Sequence, residues 1–396
     1  MRARALPWLA LALALLVALS GEAKGPDAGQ APKLILVTFD GVRVEEVFAG
    51  LDAAVFDSVL RPKGRRTSDS ETYRRFWAPT REARRRQLMP FLWGTLLARH
   101  GSITGDRERG SHVRLANAHR LSYPGYSEIL TGRAHDDVIA GNDRRRTPYP
   151  SVLEAMREQL HLSREETAVF ASWDILGLVA ESRPGSLFVN AGPAAYDHPD
   201  GVVQRLSQMQ FDTPTPWEHV RPDAYTFEFA LAHLREHHPR VLYIALDETD
   251  DLAHDGRYEA VLEALHRYDR WLERLWRTLE ADPFYRGRTS LVITADHGRG
   301  RTPTGWRDHG PGIEGSEDVW VATVSPDDPR RGADIGGEPR THGDLAQAMA
   351  RLMGVSFLPQ DERGQAEKDQ EAEAVGGEGE EHARPVRRIA AAALQR

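Results

Sequence analysis

At 396 residues, the chain has room for one large α/β domain with insertions or for two domains, and apolar residues at 40% can build a substantial core. The absence of cysteine excludes disulfides, thiolate metal sites, thiol nucleophiles and a cysteine-linked lipid anchor. A net charge of −8 argues against a general nucleic-acid-binding surface, and no nucleic-acid-binding module is evident.

Met1-Arg2-Ala3-Arg4, the apolar run Leu6 to Leu19 and Ser20-Gly21-Glu22-Ala23 have the basic, hydrophobic and small-residue sections of a secretory signal peptide over 1–23. The mature chain is then expected to begin near Gly21 or Lys24, exported to the periplasm or secreted, with no membrane segment of its own. The competing reading is an uncleaved anchor, for which the run is short.

Next comes Leu34-Ile35-Leu36-Val37-Thr38-Phe39, a continuous apolar run of the kind found in central parallel strands, and it delivers Asp40-Gly41 at its carboxyl end. The segment 48–110 interrupts the pattern and is expected to be an insertion with at least one helix, over Tyr73–Arg99, a candidate cap over a site. It is rich in arginine (Arg65-Arg66, Arg74-Arg75, Arg84-Arg85-Arg86), either to attract an anionic substrate or, more simply, as a solvated face.

Further apolar runs at Ala168–Ala171, Leu187–Val189, Val241–Leu246 and Ser290–Thr294 alternate with helical patterns at Ser151–Gln159, Ala224–Glu236, Tyr258–Leu279 and Gly343–Leu352. Strands and helices in this order predict an α/β fold with a mainly parallel central sheet and helices on both faces, its ligands gathered at the carboxyl ends of the strands. Asp40, Asp250 and Asp296 all lie just past such ends. The expected catalytic domain covers 33–355. Beyond it, 361–396 is charged, acidic up to Glu381 and poor in large apolar residues, which predicts a disordered tail.

The chemistry concentrates in a few residues. Asp296-His297-Gly298 follows a run that should be buried, where unpaired polar groups are costly; the pair is either a hydrogen-bonded structural element or part of a metal site. Asp250 and His254, four residues apart after another strand, can converge on one ion or form a surface polar pair. The nearby Asp247 and Asp251 are competing ligands or supporting groups. His309 sits in a Gly- and Pro-rich stretch able to return to the site. Ser122 opens a loop entering a helix, where it is either a helix cap or a nucleophile aided by the helix N-terminus. Trp173, Trp306 and Tyr123 are candidates for stacking on a leaving group or for the core.

Taken in order, these motifs resemble the alkaline phosphatase superfamily, most closely its nucleotide pyrophosphatase/phosphodiesterase-like branch, over about Lys33 to Leu352. Asp40-Gly41 is similar to the branch's strand-end Asp-Gly. Ser122-Tyr123-Pro124-Gly125-Tyr126 through Thr131-Gly132 has the spacing of its nucleophile segment. Asp250 to His254, Asp296 to Gly298 and His309 follow in the family's order. The resemblance implies two divalent metal ions, zinc in this branch: one held by Asp250, His254 and His309, the other by Asp40, Asp296, His297 and the Ser122 oxygen. It also implies that Asn142 assists the phosphoryl oxygens, the alternative being a turn asparagine.

Serine stands where the phosphodiesterase branch usually has threonine, and Gly125-Tyr126 where it has Asn-His. Tyr126 also occupies the arginine position of the sulfatase motif, which argues against a formylglycine sulfatase. The expectation is an exported hydrolase of small phosphate esters acting through a phosphoserine. The alternatives are phosphotransfer, as in the superfamily's mutases, and a non-catalytic binding protein on the same scaffold. Monoester, diester and phosphonate substrates remain open, as does oligomeric state.

Overall fold

The computed structural model describes residues 31–359; the expected leader at 1–23 and tail at 361–396 lie outside the described residues. Its strands are β1 (Lys33–Phe39), β2 (Gly101–Thr104), β3 (Val113–Arg114), β4 (Thr167–Ala171), β5 (Phe188–Ala191), β6 (Val241–Leu246), β7 (Thr289–Thr294), β8 (Asp318–Val319), β9 (Val321–Val324), β10 (Gly332–Ala333) and β11 (Arg340–Thr341).

The main sheet has the order β10-β2-β9-β7-β1-β6-β4-β5, and β11-β3-β8 form a small second sheet. Strands β7, β1, β6, β4 and β5 are mutually parallel. Strand β9 runs antiparallel to both β7 and β2, and β10 lies parallel to β2. This is the expected α/β architecture.

Strand β1 shows why its sequence is apolar throughout. Every residue is buried, and because successive side chains point to opposite faces, the strand feeds two cores. Ile35, Val37 and Phe39 pack with residues of the Asp223–His237 and Tyr258–Ala281 helices. Leu34 and Leu36 pack with residues of the Ser122–Thr131, Val152–Gln159 and Asp344–Leu352 helices on the other face. In the Tyr258–Ala281 helix, Val261, Leu262, Leu265, Tyr268, Leu272, Leu275 and Leu279 form the buried stripe, and fully burying each leucine contributes roughly 1.5–3 kcal/mol.

The 48–110 segment differs from expectation. In place of one helix over Tyr73–Arg99 there are helices Glu71–Phe76 and Arg81–Leu88, a π-helical turn at Leu92–Leu96 and a last turn at Leu97–Arg99. Pro79 and Pro90 lack the N–H that a continuous helix needs. Ser70 and Thr80 cap the new starts by accepting from the amides of Tyr73 and Ala83, and the Asp269 carboxylate receives the amides of Phe91 and Leu92 at 2.8 Å each.

Nor does the segment stand apart as a cap. Phe48, Phe56, Phe76, Leu88, Leu92 and Leu96 belong to the main core, and β2 joins the sheet. The short strands β2, β3 and β8 to β11 carry too few residues for a sequence period to reveal them.

Candidate active site

The candidate site lies at the carboxyl ends of three neighbouring strands. Strand β1 pairs with β6 on one side and β7 on the other, with Phe39 opposite Leu246 and Thr38 opposite Thr294. Asp40 and Asp296 therefore leave adjacent strands at nearly the same level. Asp250 sits in the short Glu248–His254 helix that follows β6.

Each carboxylate has one oxygen tied down. Asp40 Oδ2 accepts from the Tyr126 hydroxyl at 2.8 Å, Asp296 Oδ1 from the Gly41 amide at 3.0 Å, and Asp250 Oδ1 from the Arg299 guanidinium. Gly41 turns in the left-handed region (φ 62°), and a Cβ there would lie 2.5 Å from Asp250 Oδ1, so the Asp-Gly pair follows from both conformation and space.

The remaining oxygens face the histidines. Asp40 Oδ1 and Asp296 Oδ2 are buried with no hydrogen-bond partner, 3.5 Å and 3.4 Å from His297 Nε2. Asp250 Oδ2 is 3.2 Å from His254 Nε2, which in turn lies 3.0 Å from His309 Nε2. Backbone carbonyls set the tautomers of two rings: neutral His297 donates from Nδ1 to Gly298 O at 2.9 Å, and neutral His309 to Arg120 O at 3.0 Å. Arg120 adopts a left-handed φ of 51° just before the Ser122 helix, bringing that carbonyl to His309.

Both histidines thus present Nε2 lone pairs to carboxylate oxygens. Burial depresses the pKa of His297 and of His309. Burial, reinforced by the charges of Asp296 and Asp247, holds Asp40 well above the usual carboxylate range, and burial raises Asp296 as well.

Converging lone pairs and orphaned buried oxygens are costly unless a cation or protons fill the gap. The donor set, imidazole nitrogen with carboxylate oxygen, suits a divalent ion such as zinc. Two overlapping groups, Asp40–Asp296–His297 and Asp250–His297–His309, each bring their ligand atoms within 4.8 Å of one another. The residues therefore fit the implied metals. The family resemblance implies two separate ligand sets, whereas the geometry makes His297 common to both groups and leaves His254 at the rim, 43% exposed.

Ser122 is not the helix cap; Leu121 takes that place and Ser122 is the first helical residue. Its buried Oγ lies 3.2 Å from His297 Nε2. The helix rests directly on the end of β7, because a Cβ at Gly125 would fall 2.3 Å from Asp296 O. That close approach accounts for glycine at this position and carries the next residue, Tyr126, to Asp40. Asn142 is exposed, and its Oδ1 accepts from the Tyr123 amide at 2.9 Å. It therefore stands at the start of the serine helix and engages one of that helix's first backbone amides.

Sequence reasoning missed Tyr126 as an Asp40 partner and Arg299 altogether. An arginine following Asp-His-Gly at a buried strand end was the available signal, since buried arginine needs anionic or carbonyl partners. Asp247 and Asp251 lie beside the site, where burial raises the pKa of both carboxyls. Trp306 is buried edge-on to Tyr258, and buried Tyr123 donates its hydroxyl to Arg145 O; both belong to the core. The arginine-rich segment pairs with the protein's own carboxylates, Arg65 with Glu259, Arg75 with Glu263, Arg81 with Asp106 and Arg107 with Glu45.

Comparison with known families decides the assignment. The sequence profile described as type I phosphodiesterase / nucleotide pyrophosphatase matches residues 119–317, just over half of the chain. The chain belongs to that family. The match takes in every site residue above except Asp40 and Gly41. Among solved structures, the phosphodiesterase-family chain is similar to the phosphonate monoester hydrolase SpPMH from Silicibacter pomeroyi, with a TM-score of 0.52 and 11% identity over 83% of this chain and 74% of that one. It is also similar to a mutant form of the alkaline phosphatase PafA, with a TM-score of 0.53 and 10% identity over 84% of this chain and 99% of that one. Identities this low speak for the fold. No curated protein matches the sequence significantly. The phosphodiesterase-family assignment makes this protein a hydrolase of the alkaline phosphatase superfamily, whose members use divalent metals on phosphate or sulfate esters.

Proposed function

We propose that the protein is an exported phosphate-ester hydrolase that forms a phosphoserine on Ser122 and favours diesters of small molecules. The carrying observation is the position of Ser122: its buried hydroxyl opens a helix and faces His297 among orphaned carboxylate oxygens. Two zinc ions held by Asp40, Asp296, His297 and Ser122 on one side and by Asp250, His254 and His309 on the other would lower the serine pKa and stabilise the attacking and leaving oxygens.

Ser122 Oγ attacks phosphorus in line with the leaving oxygen. The new bond is Oγ–P, the ester P–O bond breaks, and the departing alcohol takes a proton. Water then attacks phosphorus of the seryl phosphate, which still carries the second ester group of a diester; the Oγ–P bond breaks, Oγ regains a proton from the water, and a phosphomonoester leaves. The helix N-terminus and the Asn142 side chain orient the non-bridging oxygens. Tyr126, the Gly41 amide and Arg299 keep three carboxylates from turning.

Charge supports the diester preference. Among the described residues no lysine or arginine side chain other than that of Arg299 bonds to the cluster, and Arg299 is committed to Asp250 and backbone carbonyls. A monoanionic diester needs less countercharge than a dianionic monoester. Export rests on the leader sequence, and among the described residues no helix is long and apolar enough to cross a membrane.

The test is zinc-loaded and chelated protein assayed on one aryl phosphodiester, one aryl phosphomonoester and one aryl sulfate. The expected result is hydrolysis fastest on the diester, lost in chelator and restored by zinc. Preference for the monoester would contradict the charge argument, preference for the sulfate the substrate class, and full activity in chelator the role of metals.

A further inference from the structure

Resting on the two-ion reading above, we infer that Arg299 is a positioning residue whose guanidinium fixes the Asp250 carboxylate and thereby sets the affinity of the outer cation position shared by Asp250, His254 and His309. The side chain is 1% exposed, and burying it would be prohibitive without full pairing. Its Nε donates to Gly41 O at 3.1 Å, Nη1 to Arg307 O at 2.5 Å, and Nη2 to both Asp250 O at 3.1 Å and Asp250 Oδ1. One planar group thus ties together the segment after β1, the helix after β6 and the loop that leads to His309.

The three carboxylates are held differently. Asp40 is fixed by a phenol and Asp296 by a backbone amide, both at strand ends where the sheet already sets their direction. Asp250 is the most accessible of the three, its side chain 14% exposed against 1% and 0%. It also stands on a separate short helix, so it depends on a side-chain anchor. Arg299 restrains Oδ1, which lies 3.6 Å from His297 Nε2 and 3.7 Å from His309 Nε2, while Oδ2 faces His254. Lysine cannot reproduce this fork, because its donors radiate from one atom. A Cβ at position 41 would lie 2.8 Å from Nε, so the glycine after Asp40 also keeps the arginine seated.

A purely structural role for Arg299 would weaken both cation positions together. Anchoring Asp250 affects the outer one alone. The experiment is a cobalt(II) chloride titration of metal-free protein, followed by visible absorption and elemental count, for wild type, Arg299→Met and Arg299→Lys. Wild type is expected to take two equivalents. The methionine variant is expected to keep one tight equivalent and to lose at least about tenfold in affinity for the second, as when a group orienting a metal ligand is removed. The lysine variant, which keeps the charge and serves should the methionine variant not fold, is expected to show the same one-sided loss. Two undiminished equivalents in the folded variants, or equal weakening of both, would overturn the inference. Fewer than two equivalents in wild type would refute the two-ion reading itself and the inference with it, a failure visible without any variant.

Discussion

At the residue scale, the site works by leaving one oxygen of each carboxylate free for a cation while holding the other. Tyr126 tests this away from the proposed ligands. Removing its hydroxyl in Tyr126→Phe takes away the donor to Asp40 Oδ2 and leaves the ring's packing intact. We expect kcat/KM to fall about tenfold, with thermal stability close to wild type and partial recovery at higher zinc. Unchanged kinetics at limiting zinc would show that Asp40 needs no anchor. Asp40, Asp250, Asp296 and His297 could be picked out in sequence because each comes soon after an apolar run that had to be a strand, whereas His309, in a Gly- and Pro-rich stretch, could be picked out only from its place in the ordered set of motifs. Tyr126 and Arg299 were not: the Tyr126–Asp40 contact spans 86 positions and the Arg299–Gly41 contact 258, and no local spacing encodes such partners.

At the element scale, the central parallel strands and the long helices were legible from period and length. The 48–110 segment was not, because prolines cut its helical pattern and its sheet contribution is the four-residue β2. Burial of polar groups within these elements has a measurable consequence at His233, on the Asp223–His237 helix. Its Nε2 donates to Glu165 O at 2.9 Å and its Nδ1 accepts from the Tyr196 hydroxyl at 3.1 Å, and burial lowers its pKa from 6.5 to about 4. The neutral ring belongs to the folded state, so the unfolded chain binds the extra proton between those values. Its contribution is complete above pH 6.5 and is lost as the pH falls toward 4, by at most about 3 kcal/mol. Urea unfolding of wild type and His233→Gln should show a stability gap at pH 7 that closes by pH 4. A gap independent of pH would contradict the assignment.

At the scale of the whole molecule, a mainly parallel sheet carries the proposed catalytic groups, which arrive from distant parts of the sequence, and the core on one face of the sheet closes with the Asp344–Leu352 helix. The acidic sequence after Pro359 can bury little apolar surface against the entropy of ordering it. A chain ending at Pro359 should therefore keep its activity and its Tm to within a few degrees, read by aryl-diester assay and calorimetry. A large loss of either would mean that the C-terminal segment contributes to the catalytic unit.

The central claim is that Ser122 is the atom through which phosphorus passes. Zinc-loaded enzyme turning over an aryl phosphodiester, quenched in acid and analysed by peptide mass spectrometry, should carry on the peptide containing Ser122 the mass of the phosphoryl group with its retained ester substituent, and Ser122→Ala should carry none and turn over at least about a thousandfold more slowly. An unmodified Ser122 peptide together with wild-type turnover by a folded Ser122→Ala variant would contradict it.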